Sequence, residues 1–359
     1  MAEYKIGILN GDDIGLEIVP VAVEVLKTAV KRYPEIQIEW VPLPIGYPSF
    51  LEHGTTLLPE VRERLYTLDG WILGPIGHMA YPKDQPNCFN PHPILRREYD
   101  LVSNIRPAKS YAEIPCINPN VDLVIIRENN EGFQPDRNMF RGTSDCMPTP
   151  DMALSLRVIT RRNSTLVARE GFELARRRGG RKKVTAVHKN TVFKLGCGLF
   201  IEACRDVAKE YPDIEFETVV VDTFAMKMLM RPQDYDVVIT TNMFGDILSD
   251  EASMLTGSIG MLPSASLGGQ TGLYEPIHGS APDIAGQNIA NPIGMVLSVA
   301  MMLKYSFNMD NESALLEKAV NMAVSGARTK DICGGGKSVG CEEMGDIIAH
   351  NFERLLRGE

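Results

Sequence analysis

With 359 residues, 44% of them hydrophobic and 23% charged, the chain exceeds one ordinary core and has the make-up of a globular protein, so two subdomains are expected. A formal net charge of -9 leaves no footprint for nucleic acid or an anionic membrane. Seven cysteines without a CxxC pair fit reduced thiols in a cytoplasmic protein and argue against a disulfide framework.

Residues 4–9 (YKIGIL) read as a buried strand, with no signal peptide ahead of it. Asn10-Gly11-Asp12-Asp13 then turns into an amphipathic helix over about residues 16–30. Strand-like runs recur at 69–73, 121–126, 184–188, 217–221 and 237–241, with helical runs between several of them. The alternation predicts an α/β fold with ligand groups at strand ends and in the loops that follow. Residues 42–50 and 75–93 read as long functional loops, and 137–150 as an irregular arm or lid. Arg176-Arg177-Arg178 with Arg181-Lys182-Lys183 reads as a solvated helix end. The apolar run 293–303 is too short to cross a bilayer.

Residues 242–285 carry the densest chemistry. Asp246 and Asp250, four apart among apolar neighbours, share one face of a helix. Partly buried at about 5–6 Å, two such carboxylates repel by about 3 kcal/mol at an effective dielectric near 20, and a cation is the natural remedy. Oxygen ligands favour Mg²⁺ or Mn²⁺ over Zn²⁺. Asp222, closing the strand-like ETVVVD, is a candidate third ligand, and a solvated acidic turn is the alternative. The Gly-rich run ending in His278-Gly279-Ser280-Ala281-Pro282-Asp283 reads as a loop that holds a nucleotide. The opening Gly11-Asp12-Asp13-Ile14-Gly15, however, is no GxGxxG fingerprint. Arg96, Arg106 and Arg127 each stand beside a loop or strand end. Three converging guanidinium forks would suit a di- or tricarboxylic acid, and surface ion pairs are the alternative. Lys189, directly after an apolar strand, is either a candidate base or an exposed loop lysine.

From the turn at Gly11 to Glu342-Glu343-Met344-Gly345-Asp346, these motifs resemble the β-decarboxylating dehydrogenases of (2R)-malate-type acids, among them isopropylmalate, isocitrate, homoisocitrate, tartrate and D-malate dehydrogenases. The most specific stretches are residues 242–250 and Tyr274-Glu275-Pro276-Ile277-His278 through Asn291-Pro292. The resemblance implies an isopropylmalate dehydrogenase-like two-domain α/β fold, doubly wound on a mixed sheet. Residues 1–103 plus 253–359 would form the nucleotide side, and 104–252 the substrate and dimerisation side. It implies a homodimer with shared sites, in which the partner chain contributes Lys189 as base and Asp222 to the metal. Asp246 and Asp250 would complete a Mg²⁺ or Mn²⁺ site, and Arg96, Arg106 and Arg127 would bind the substrate's carboxylates. Glu275, His278, Gly279, Ser280, Ala281, Ile284 and Asn291 fall in the family's cofactor segment. Asp283, five residues after His278, implies NAD, because a carboxylate there repels the 2′-phosphate of NADP. The implied reaction oxidises the hydroxyl of a (2R)-hydroxy diacid and then releases CO₂.

Three departures narrow the expectation. Gln134 stands where the family has a catalytic tyrosine, and an amide cannot act as a general acid at neutral pH. Asn90 and His92 replace the leucines that isopropylmalate enzymes present to a branched chain. An apolar substituent would leave them unsatisfied at about 1–3 kcal/mol per buried group, so a small or polar C3 substituent, as in tartrate or D-malate, is the leading expectation. Asp13 and Leu16 replace the usual Gly and Pro of the opening turn, and Thr191 stands where Asn is frequent. The alternatives are isopropylmalate dehydrogenase, a dehydrogenase that releases no CO₂, and a non-catalytic regulatory subunit.

Overall fold

The opening of the chain follows its pattern: β1 (Ala2–Leu9) turns into α1 (Gly15–Val30), followed by β2 (Ile36–Pro42), α2 (Gly46–His53), α3 (Pro59–Leu65), β3 (Gly70–Leu73) and α4 (His92–Glu98). The computed structural model describes residues 2–359 apart from 32, 34, 35, 135, 137 and 140. The middle runs through β4 (Ser103–Lys109), β5 (Asp122–Glu128), β6 (Asp145–Thr149), β7 (Met152–Ser155), α5 (Arg161–Arg178), β8 (Lys183–His188), α6 (Lys194–Ala208), β9 (Glu215–Val220), α7 (Val221–Met230) and β10 (Val237–Thr240). The remainder is α8 (Asn242–Thr256), β11 (Pro263–Leu267), β12 (Gly272–Pro276), α9 (Ile293–Tyr305), α10 (Asp310–Gly326) and α11 (Cys341–Leu356).

Ten strands form one mixed sheet in the order β2-β1-β3-β12-β11-β4-β5-β10-β8-β9. The outer pairs are parallel, while β12, β11, β4 and β5 pair antiparallel at the centre. β3 (GWIL) and β10 (VVIT) are buried at every position, as strands of a parallel sheet covered on both faces must be. Helix α9 supplies part of that cover. Its residues from Ile293 to Leu303 are all buried and it packs on β11 and β12, so the longest apolar run is a core helix. Among the described residues, no helix is long and apolar enough to cross a membrane. The division implied by the resemblance would cut the sheet between β11 and β4, with five strands on each side.

Three features depart from the sequence pattern, the first being α2, which begins at Gly46 inside the expected 42–50 loop. The expected irregular arm contains a two-stranded hairpin, β6–β7, exposed along both strands; Arg137 and Phe140 of that segment lie outside the described residues. Neither face of the hairpin is buried by its own chain, so no apolar alternation marks it. The Gly-rich loop expected after α8 contains β11 and β12, two strands of the sheet's centre. At the opening turn, Asp13 adopts a left-handed φ of 49°. Glycine, usual there in the similar family, takes that conformation without strain, whereas Asp bears a cost of about 1 kcal/mol.

Candidate active site

Arg127 is the penultimate residue of β5 and lies against the start of α8, and Gly245 lets the two meet: a Cβ on it would stand 2.7 Å from Arg127 Cβ. Arg127 Nε and Nη2 donate to Asn242 Oδ1 at 3.1 and 2.7 Å, and Nη1 donates to Asp246 Oδ1. Arg106, from the neighbouring β4, donates through Nη1 to the same Asp246 oxygen at 3.1 Å and to Ser249 Oγ at 2.7 Å. Two of the three arginines therefore converge, and they do so on the first acidic residue of the pair. Burial pushes the Asp246 carboxyl up, but Arg127, Arg106 and Arg96 outweigh it and hold it below the usual range. Asp250 is pushed the other way, by partial burial and by Asp246. The expected like-charge tension is thus present. The cover expected from apolar neighbours is present in part: Leu248 is buried, whereas Ile247 is 60% exposed on a face of α8 that this chain leaves open.

Arg96, in α4, serves a different partner. Its Nη2 donates to Glu275 Oε1 at 3.2 Å, and His92 Nε2 lies 2.8 Å from Glu275 Oε2. Burial alone would raise the Glu275 carboxyl, but His92 and Arg96 hold it down at about 2. Asn90 Oδ1 accepts the His92 backbone N–H at 3.1 Å. His92 Nε2, Asn90 Oδ1 and one Arg96 nitrogen, which the sequence offers to a substrate, are therefore engaged within the protein, whereas Arg96 Nε is buried without a partner among the described residues. The depressed Glu275 value implies stability that is present above the unfolded carboxyl's value near 4.5 and is lost as pH falls towards 2. Glu275→Gln is expected to cost about 3 kcal/mol at neutral pH, with the gap from wild type narrowing as pH falls from 5 towards 2. Urea unfolding across that range checks it; a gap independent of pH would mean that the pairing does not hold the charge.

Lys189 follows β8, and its Nζ donates to Asp222 Oδ1 at 2.5 Å. Asp222 lies in the first turn of α7 rather than at a strand end, and the Lys189 bond draws its carboxyl below the usual range. Within one chain this pair is not joined to Asp246 and Asp250: among the described residues, no three His, Cys, Asp or Glu side chains gather to hold a metal. Uncovered apolar side chains run along the same helices, Met226, Leu229 and Met230 on α7, and Met243, Ile247 and Met254 on α8. Gln134 reaches the arginine cluster from its loop, with Nε2 donating to Asn242 Oδ1 at 3.1 Å.

A cleft of about 550 Å³ opens beside the His278 loop, lined by Ile14, Ile259, His278, Ala281, Ile284 and Asn291 among others, Gly279 included. The Gly279 carbonyl can only accept, so His278 Nδ1 donates to it at 2.9 Å and the neutral ring keeps Nε2 as an acceptor. Burial lowers the His278 pKa and so favours that neutral form. Nε2 is shut off from solvent and has no partner among the described residues. Apolar walls with an unmet acceptor fit a flat heteroaromatic base carrying an amine, such as adenine. Ser280 and Asp283 flank the cleft: the Ser280 carbonyl accepts the Ile14 N–H at 3.1 Å, and Asp283 is exposed. Glu275 stands apart, committed to His92 and Arg96. Sequence reasoning missed Asp331, which lines the cleft and accepts from Ser258 Oγ at 2.5 Å and Asn291 Nδ2 at 3.0 Å. No local motif marks it.

Comparison with known proteins gives a consistent result. The family model for isocitrate/isopropylmalate dehydrogenase matches residues 5–348. A 3-isopropylmalate dehydrogenase of Aquifex aeolicus is 40% identical, the alignment covering 99% of each chain. Another, from Pseudomonas fluorescens, is 41% identical over 98% of this chain and 99% of the relative. Among solved structures, the isocitrate dehydrogenase of Methylococcus capsulatus aligns with a TM-score of 0.87 at 35% identity, covering 98% of this chain and 99% of that one.

Proposed function

The chain belongs to the isocitrate/isopropylmalate dehydrogenase family and is a dehydrogenase, and from that premise we propose that it oxidatively decarboxylates a (2R)-hydroxy diacid with NAD and Mg²⁺ or Mn²⁺. The observation that carries this reading is the convergence of Arg106 and Arg127 on Asp246, one turn from Asp250. The donor set is all carboxylate oxygen, which suits those cations. Asp246, Asp250 and the partner's Asp222 would hold the cation, which supplies Lewis-acid charge for the substrate's hydroxyl and for the enolate left by CO₂. Arg106 and Arg127 are buried forks that bind carboxylates. The partner's Lys189, as the neutral amine once Asp222 is engaged elsewhere, would take the hydroxyl proton on Nζ. The His278 cleft takes the adenine, and the Asp283 carboxylate the ribose of NAD. Gln134 cannot donate a proton to the enolate, which leaves that role to water or another group.

The homodimer is supported by the open apolar faces of α7 and α8, the two halves by the position of the site at the β11–β4 joint, and a cytoplasmic location by seven free cysteines. For the substrate we place 3-isopropylmalate first, ahead of the small or polar C3 substituent that the sequence favours. The relatives carry that name, and the objection from unsatisfied Asn90 and His92 weakens when Asn90 caps His92 and His92 pairs with Glu275. The second reading, a tartrate- or D-malate-like acid, rests on the absence of leucines at those positions.

Purified protein with NAD⁺ and Mn²⁺, assayed on isopropylmalate, D-malate, tartrates, isocitrate and homoisocitrate for NADH and CO₂ together, tests this. Matched NADH and CO₂ are expected, with isopropylmalate fastest. NADH without CO₂ would move the function to simple dehydrogenation, as Gln134 invites, and NADH from none of these acids would sink the proposal. The coenzyme is checked separately by Asp283→Lys with Ile284→Tyr, expected to lower kcat/KM for NAD roughly 10–100-fold and raise it for NADP.

A further inference from the structure

A second cavity, of about 340 Å³, lies on the opposite face of the sheet from the arginine site. Strand alternation separates the two. On β4, Arg106 faces the candidate active site while Pro107 and Lys109 line the rear cavity, and on β5 Arg127 faces the front while Asp122 and Val124 face the rear. The rear cavity spans the joint of the sheet. Lys109, Arg177 and Arg178 come from β4 and α5 on one side, and Lys304 and Tyr305 from α9 on the other.

Its charge is unbalanced. Four cations stand against two carboxylates, Asp122 and Glu317. Arg178 holds both Asp122 at 2.8 Å and the buried Asp236 at 2.9 Å, and Arg177 pairs with Glu170 at 3.0 Å, so the lysines are the cations left over. Neither Lys109 nor Lys304 has an ion-pair partner among the described residues. The Tyr305 ring collects Arg177 and Lys304, at 5.5 and 6.0 Å from its centroid, and so holds together charges delivered by two different helices. In a chain of net charge -9, two lysines without an ion-pair partner and the paired Arg177 face a hollow of ligand size in which Glu317 is the remaining carboxylate.

We propose that the rear cavity binds a compact polyanion, a polycarboxylate or inorganic phosphate, through Lys109, Arg177 and Lys304. The inference does not depend on the substrate assigned above. Isothermal titration of the purified full chain with citrate, and separately with phosphate, tests it. One anion is expected to bind saturably to wild type and to keep that binding in Asp250→Asn, where the front site is impaired. Arg177→Gln with Lys304→Gln is expected to weaken it at least about tenfold while NADH formation without added anion stays at the wild-type level. Lys109→Gln, at an exposed position, provides a second variant, and an unchanged melting temperature shows that the fold survives. Citrate binding more tightly than phosphate assigns a carboxylate ligand, and the reverse order a phosphate. No saturable binding of either anion up to about 10 mM, or equal affinity in wild type and the double variant, would overturn the proposal.

Discussion

Mixing Lys189→Met protein with Asp250→Asn protein is expected, after subunit exchange, to restore about a quarter of wild-type turnover, although each variant alone is nearly inactive. Loss of the lysine base alone is expected to lower kcat by about 10²–10⁴-fold. The recovery follows from where the groups lie. Lys189 pairs with Asp222 and neither joins Asp246 and Asp250 within one chain, so a complete site would draw one pair from each protomer. In a mixed dimer one site collects both substitutions and the other collects none. Random exchange makes about half the dimers mixed, each with one of two sites intact. If all four residues served a site within one chain, mixing would restore nothing.

The second large effect is on metal binding, and it separates two adjacent carboxylates. Asp250→Asn is expected to weaken Mn²⁺ at least about 100-fold. The same substitution is expected to leave the metal-free protein as stable as wild type or roughly 0.2–0.5 kcal/mol more stable, because it removes a like charge one turn from Asp246. Asp246→Asn also loses Mn²⁺, but it strips the counter-charge from the buried Arg106 and Arg127 and is expected to cost about 3 kcal/mol. Thermal melting with and without Mn²⁺, beside a Mn²⁺ titration, reads both. Wild-type Mn²⁺ affinity in Asp250→Asn would remove the pair from the metal site.

Legibility in the sequence tracked how each element is held. β1, β8 and β10 announce themselves as apolar runs because they lie in parallel parts of the sheet, and β5 because it is buried between β4 and β10. β11 (PSASL) and β12 (GLYEP) have small residues and prolines, and they are strands because partners on both edges complete their hydrogen bonds. Residue type and spacing were enough to single out Arg106, Arg127, Asp246 and Asp250. They could not show that Arg96 and His92 spend themselves on Glu275, a contact that spans 183 residues for His92. Exposure of Ile247 was hidden for another reason: a sequence shows that a face is apolar and not whether its own chain covers it. The arginines ending α5 were legible as a charged helix end, and only the approach of α9 turns Arg177 and Arg178 into the wall of a cavity.

The strand order also dictates how the molecule must be assembled. β3 is made early and β4 soon after, yet their neighbours in the finished sheet, β12 and β11, arrive only with residues 263–276. During synthesis the first strands therefore wait with an open edge, and β4 and β5 wait with another, both of them templates for wrong pairing. Insertion of the β11–β12 hairpin is the late, long-range step that fuses two nascent pieces into one sheet. A chain stopped before residue 263 would keep both edges open, and its fate is aggregation rather than a smaller folded protein.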